Sequence, residues 1–164
     1  MTQLVAIKAI LDHSIAVNQA VRVQGWVRSR RTSKGGFAFI HLHDGSCFDT
    51  IQAIADEALP NYDEINQLGA GCSVAINGTL VESAGRGQDR EIQAESVEVI
   101  GLVDDPESYP ISKKQHTYEF LRGVAHLRPR TNTFGAMARI RHCVANAVHN
   151  YFNQNGFFWI NTPI

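Results

Sequence analysis

Five strand-like segments crowd between Val21 and Gly101, each closed by a turn signal, and this spacing leaves room for little except a small antiparallel sheet. The first, VRVQGWVRSRR, alternates Val21, Val23 and, after Gly25, Val27 with polar positions, the period-two pattern of a half-buried strand. TSKGG follows as a turn whose paired glycines can supply the positive φ angles of a hairpin. The return segment FAFIHLHDGS puts Phe37, Phe39, His41 and His43 on one face and Ala38, Ile40 and Leu42 on the other. One face can meet water; the other is core.

FDTIQAIA reads as a third strand, and LPNYDEINQL, residues 59–68, as a short helix with Pro60 near its start and acidic residues in its first turns, where the helix dipole favours them. GCSVAINGTLVES and REIQAESVEVIG read as the fourth and fifth strands, joined by the turn AGRGQD. The expected fold is mainly β: a five-stranded Greek-key barrel of the oligonucleotide-binding (OB) type, with a short helix between strands three and four. Closing the sheet leaves few bare edges.

Beyond the barrel the pattern changes. VDDPESYPISKKQH holds Pro106 and Pro110 in a polar, strandless run, which is linker chemistry. Met137, Ile140, Val144, Val148 and Tyr151 then recur at helical spacing, with Ala147 and Phe152 widening the stripe. Asn155-Gly156 supplies a helix stop, and FFWINTPI reads as a strand. The expected division is 1–103 for the barrel, 104–131 for a hinge, and 132–164 for the beginning of another domain. A lone apolar strand cannot satisfy its backbone groups, so its partners are expected from further sequence or from another chain.

The formal net charge of -1 conceals a segregation. Residues 1–34 carry six Lys/Arg against one Asp, residues 35–110 two against fourteen acids, and residues 111–164 seven against one. A basic block can attract a polyanion even in a mildly acidic chain. The opening segment MTQLVAIKAILDHSIAV is broken by Lys8, Asp12 and His13, so it offers neither a secretory core nor a membrane span, and a cytoplasmic location is expected. Cys47, Cys72 and Cys143 are odd in number and far apart; they suggest buried free thiols, with neither a disulfide framework nor a zinc site.

Chemistry concentrates on the first hairpin. Arg22, Arg28, Arg30, Arg31 and Lys34 can track phosphates, while Phe37 and Phe39 offer flat surfaces for unpaired bases. The bland alternative puts Phe in the core and Arg in water. His41 and His43 could imitate metal ligands but lack a third partner nearby, so no metal site is expected. SAGRGQD lies between two strands and is a hairpin turn, not a phosphate cradle; no G-x-x-x-x-G-K-[ST] or G-x-S-x-G occurs. On residues alone the chain binds, and no catalytic residue is assigned.

The stretches VRVQGWVRSRRTSKGGFAFIHLHDGSCFDTIQAI, HLRPRT and NQNGFFWINTPI resemble the class IIb aminoacyl-tRNA synthetases, over Val21 to Ile164. The resemblance implies an anticodon-binding barrel in which Phe39 stacks on the middle anticodon base, U, while Arg31 and Gln52 contact that base and Arg28 belongs to the same surface. Where the aspartate enzymes of the family carry Glu in EIE, this chain has Gln93 in EIQ. A Gln amide can donate to the carbonyl that uracil presents where cytosine has an amino group, so Gln93 favours the asparagine anticodon at its third position. Arg128 and Arg130 match the hinge that touches the tRNA body; a capping or ion-pair role is the alternative.

The same resemblance makes GFFWINTPI the start of motif 1, so that Phe157, Phe158, Trp159 and Pro163 are expected at a homodimer interface. Motifs 2 and 3 have no counterpart here. ATP and Mg²⁺ are therefore expected for a longer enzyme and no cofactor for this stretch, with an asparagine-type tRNA as the partner and no membrane. An aspartyl-type enzyme of relaxed anticodon choice, and a free-standing single-strand-binding module, are the rival readings.

Overall fold

The computed structural model describes residues 3–85, 87–111 and 115–163. They fall into two units, 1–115 and 116–164.

The first unit is a closed barrel with strand order β1-β2-β3-β5-β4. Its strands are β1 (Ala20–Thr32), β2 (Phe37–His43), β3 (Ile51–Asp56), β4 (Ser73–Glu82) and β5 (Arg90–Gly101). All neighbours are antiparallel except β3 and β5, whose parallel pairing closes the sheet. The expected five-stranded fold is what forms, and the fifth strand keeps its expected bounds.

Alternation supplies the core. Val21, Val23 and Val27 of β1 meet Ala38, Ile40 and Leu42 of β2, Ile51, Ala53 and Ala55 of β3, Val74, Ile76 and Leu80 of β4, and Ile92 and Val97 of β5. Each fully buried Val or Ile adds roughly 1.5–3 kcal/mol of burial free energy.

Two short helices add to this core. The first, α1 (Ile7–Leu11), buries Ile7 and Ile10 completely, so the opening residues do pack on the barrel. Its N-cap, Ala6, has no side chain to cap with. The 44–46 turn substitutes: Asp44 Oδ2 accepts from the Ile7 amide at 2.8 Å and Ser46 Oγ from the Lys8 amide at 2.9 Å. The second, α2 (Tyr62–Ile65), is shorter than the expected 59–68, and Leu68 reaches the core from beyond its end. Asn61 fixes it by donating to the Val97 carbonyl at 2.7 Å.

In the β1–β2 turn, Gly36 takes φ +80°, and Gly35 does not share the left-handed conformation expected of the pair. Cys72 is buried, but Cys47 is only partly so and Cys143 is exposed, which corrects the expectation of three buried thiols. No helix of the described residues is long and apolar enough to cross a membrane.

The second unit contains α3 (Tyr118–Gly123), a 3-10 turn (Arg128–Arg130) and α4 (Asn132–Gln154). The stretch expected to be a plain linker therefore carries a helix, capped by Thr117, whose side chain accepts from the Phe120 amide. The long helix has the expected extent but buries no residue: Ile140, Val144 and Tyr151 are 63%, 58% and 63% exposed along one stripe. The strand expected over 157–164 is not formed in its described part. A strand is defined by its hydrogen-bonded neighbour, and none of the described residues pairs with this run. The run folds back on the helix instead, with Phe157 edge-on to Phe152 and Trp159 stacked on His149 at 4.4 Å.

Candidate nucleic-acid interface

The surface of interest depends on one extra residue. Continued alternation from Val27 would turn Ser29 and Arg31 into the barrel. The register prevents this: Val27 pairs with Leu42 but Ser29 pairs with His41, so Arg28 is the unmatched residue of a β-bulge. Beyond it the faces exchange. Ser29 and Arg31 join His41 and Phe39 on the outer face, and Arg30 shares the face of the buried Ile40.

Arg30 is therefore structural. Its guanidinium donates to the Leu68 carbonyl at 3.0 Å, Thr32 Oγ1 at 2.7 Å and Asn66 Oδ1 at 3.2 Å, tying β1 to the segment after α2. Arg22 is likewise committed, to Asn77 Oδ1 at 3.2 Å and Glu98 Oε2 at 2.8 Å. The expected set of phosphate-tracking cations thus loses Arg22 and Arg30. Arg31 and Lys34 remain exposed, and Arg28 is half-buried at the bulge.

Register then arranges two rows across four strands. One runs Arg31, Phe39, Ile54, Gln93; the next runs Ser29, His41, Gln52, Glu91. With strands about 4.8 Å apart, each row spans about 15 Å. Phe39 is half-buried on the outer face, and the Arg31 guanidinium carbon lies 4.9 Å from its ring centroid. Gln93 is exposed, whereas Gln52 is 5% exposed and its amide donates to Glu91 Oε2 at 3.0 Å.

Beside these rows opens a cleft of roughly 540 Å³, lined by Ser29, Arg31, His41, Gln52 and Gln88 among others. A second, of roughly 420 Å³, shares His41 and Gln88 and continues past Asp49, Asp89 and Arg90. Arg90 anchors that wall by donating to the Ile10 and Ile15 carbonyls. The surface therefore offers a ring, planar cations and recessed amides side by side. It can stack an unpaired base and bond its edge, which is how single-stranded nucleic acid is held.

Sequence reasoning placed Arg31, Phe39, Gln52 and Gln93 together, and the register does the same. It missed Ser83, Gln88 and Glu91. No local signal marks those three; the arrival of Ser29 and Arg31 at positions where alternation demanded apolar residues marks only the change of register in β1. Arg128 and Arg130 lie in the second unit, where the Arg128 guanidinium carbon is 4.9 Å from the Phe134 centroid. Phe157, Phe158 and Trp159 are 62%, 90% and 75% exposed there. Among the described residues no three His, Cys, Asp or Glu side chains could hold a metal, His41 and His43 included.

Residues 21–100 match the tRNA anticodon-binding family, described as an OB-fold nucleic acid binding domain. The barrel belongs to that family. Around this OB-fold domain the likeness extends over the whole chain. It is 61% identical over 160 residues to an asparagine–tRNA ligase of Hahella chejuensis, a match covering 97% of this chain and 34% of the relative. An asparagine–tRNA ligase of Legionella pneumophila is 54% identical over 165 residues, covering 100% and 35%. The chain thus spans about a third of the length of the curated relatives it matches. Among solved structures, asparaginyl-tRNA synthetase of Entamoeba histolytica with asparaginyl-adenylate superposes with TM-score 0.79 at 20% identity, covering 99% of this chain and 38% of that one. At that identity the likeness establishes the fold of the OB-fold domain and its following helix.

Proposed function

We propose that the OB-fold domain grips the unpaired anticodon bases of an asparagine tRNA, and that the chain serves as the tRNA-reading part of an asparagine–tRNA ligase. The observation that carries this reading is the outward Phe39 ring beneath the Arg31 guanidinium, in one row with Gln93. Phe39 stacks on the middle base, Arg31 and Gln52 bond its edge, Arg28 contributes charge beside it, and Gln93 donates to a carbonyl of the third base.

Arg128 and Arg130 contact the tRNA body. Phe157, Phe158, Trp159 and Pro163 meet a second subunit; the exposure of the first three supports that role. In the whole ligase, amino-acid activation takes ATP and Mg²⁺ and occurs in the cytoplasm. The described residues hold no donor set for a metal, so no step of that activation is assigned to them.

Titration with asparagine-type and aspartate-type anticodon stem-loops at one fixed salt concentration tests the proposal. Preferential binding of the asparagine loop is expected. Equal affinity for both and for an arbitrary single strand would refute it.

A further inference from the structure

We propose that Glu91 is a positioning residue: its buried carboxylate fixes the NH₂ end of the Gln52 amide and so turns the carbonyl end to the cleft, making that point a reader of the ring N–H of a keto base such as uracil. The inference rests on the anticodon reading above and names how one base is chosen.

Gln52 and Glu91 are the two polar side chains buried within the described residues, at 5% and 7% exposure. They are partners in the parallel β3–β5 register. Glu91 Oε2 accepts from Gln52 Nε2 at 3.0 Å, from Ser83 Oγ at 2.8 Å and from Gln88 Nε2 at 2.9 Å. One oxygen therefore ties together β3, the end of β4 and the β4–β5 turn.

A carboxylate has no proton to give, so an amide that meets it must present its NH₂ group. Turning the Gln52 amide over would set oxygen against oxygen and forfeit a buried, charge-assisted hydrogen bond. The Gln52 carbonyl is thus the end left over. It makes no hydrogen bond with a described residue and is not among the sealed, unpartnered atoms, while Gln52 itself lines the cleft with Arg31 and Ser29.

An amide alone is an ambiguous reader, since it can donate or accept at either end. Held by Glu91 through one N–H, Gln52 keeps its NH₂ end on the carboxylate and offers its carbonyl at the other end. Uracil offers N3–H between two carbonyls, which suits an acceptor here and the Arg31 guanidinium as donor. Cytosine offers a ring lone pair at that position, and two acceptors then face each other.

The test uses the 164-residue chain with stem-loops carrying U or C at the middle anticodon position, and separately 3-methyluridine, which lacks the N3 proton. Unchanged protein is expected to prefer U by at least about tenfold, and to lose as much on 3-methyluridine as on C. Glu91→Gln can donate back to the Gln52 carbonyl and free the amide to turn, so the U-over-C ratio should collapse. Glu91→Asp keeps an acceptor-only group and should retain most of the ratio. In a Gln52→Ala background, Glu91→Gln should leave the ratio unchanged.

An unaltered ratio in Glu91→Gln would overturn the inference, as would undiminished binding of 3-methyluridine. If Glu91→Gln fails to fold, the modified base decides the matter on the unchanged protein. Binding that depends on Phe39 but ignores these changes sinks this inference alone; failure to bind either loop, or indifference to Phe39→Ala, sinks the anticodon reading with it.

Discussion

Arg31 stands opposite Phe39 in the β1–β2 register, with its guanidinium carbon 4.9 Å from the centre of the phenyl ring. A cation over a ring at a partly exposed site contributes about 0.5–1 kcal/mol, too little to hold the barrel together. The pairing matters for what it presents outward: a flat apolar face and a planar donor in one place.

Phe39→Ala removes the stacking platform without opening the core, because the residue lies on the outer face. Binding of an asparagine-type stem-loop should weaken by about 1–3 kcal/mol. The loss should be the same for every middle base, since all bases have a π face. Titration at fixed salt, alongside a thermal melt that stays near the unchanged protein, checks both halves.

Gln93→Glu replaces a donor by an acceptor at an exposed position of the same row. Preference at the third anticodon base should move from U toward C by about 1–3 kcal/mol. A variant that ranks the two loops as before removes Gln93 from the reading surface.

Arg28 separates charge from geometry. Arg28→Ala keeps the bulge, so stem-loop affinity should fall modestly and the slope of log K against log salt should drop by about one. Deleting residue 28 removes the extra residue and leaves Ser29 opposite His41 and Arg31 opposite Phe39, so Arg31 stays outward and Arg30 keeps its bonds to Leu68 and Asn66. The deletion should therefore lose about as much RNA affinity as Arg28→Ala, and a much larger loss would show that the local twist of the bulge itself shapes the surface.

A Cβ at Gly78 would sit 2.1 Å from the Gln93 carbonyl oxygen and 2.9 Å from its carbon, so backbone must move. Gly78→Ala should cost about 1–3 kcal/mol, measured by urea denaturation. It should also blunt selectivity at the third base, because the strand that moves carries Gln93.

Burial acts to raise the Asp44 carboxyl, but hydrogen bonds from the Ser46 hydroxyl and from the Ile7 and Ser46 amides outweigh it and hold the group below its usual 3.8. A lowered folded value means stability that is present above the unfolded value and lost as pH falls through the folded one. Acid melts should show the gap between unchanged protein and Asp44→Asn closing below pH 3.8 and constant above about pH 5.

The barrel was legible because strand alternation is local: Val21, Val23, Ala38, Ile40 and Leu42 declare a face within a few residues of themselves. The bulge was not, since it is a relation between Ser29 and His41 on different strands, and with it went the inward turn of Arg30. Glu91 looked like one more acid in an acidic stretch. Its burial follows from the parallel closure of β3 on β5, which no turn signal announces. The strand expected over 157–164 was read from its apolar run, yet pairing requires a neighbour that composition cannot supply.

The closure of β3 on β5 also sets an order of events during synthesis. Arg31 and Phe39 share a hairpin and can come together early, whereas Gln93 and the carboxylate behind Gln52 arrive only when the last strand docks. Until that strand docks, the outer face has its ring and its planar donor but lacks Gln93 and the carboxylate bonded to Gln52, so the surface is complete only when the barrel is.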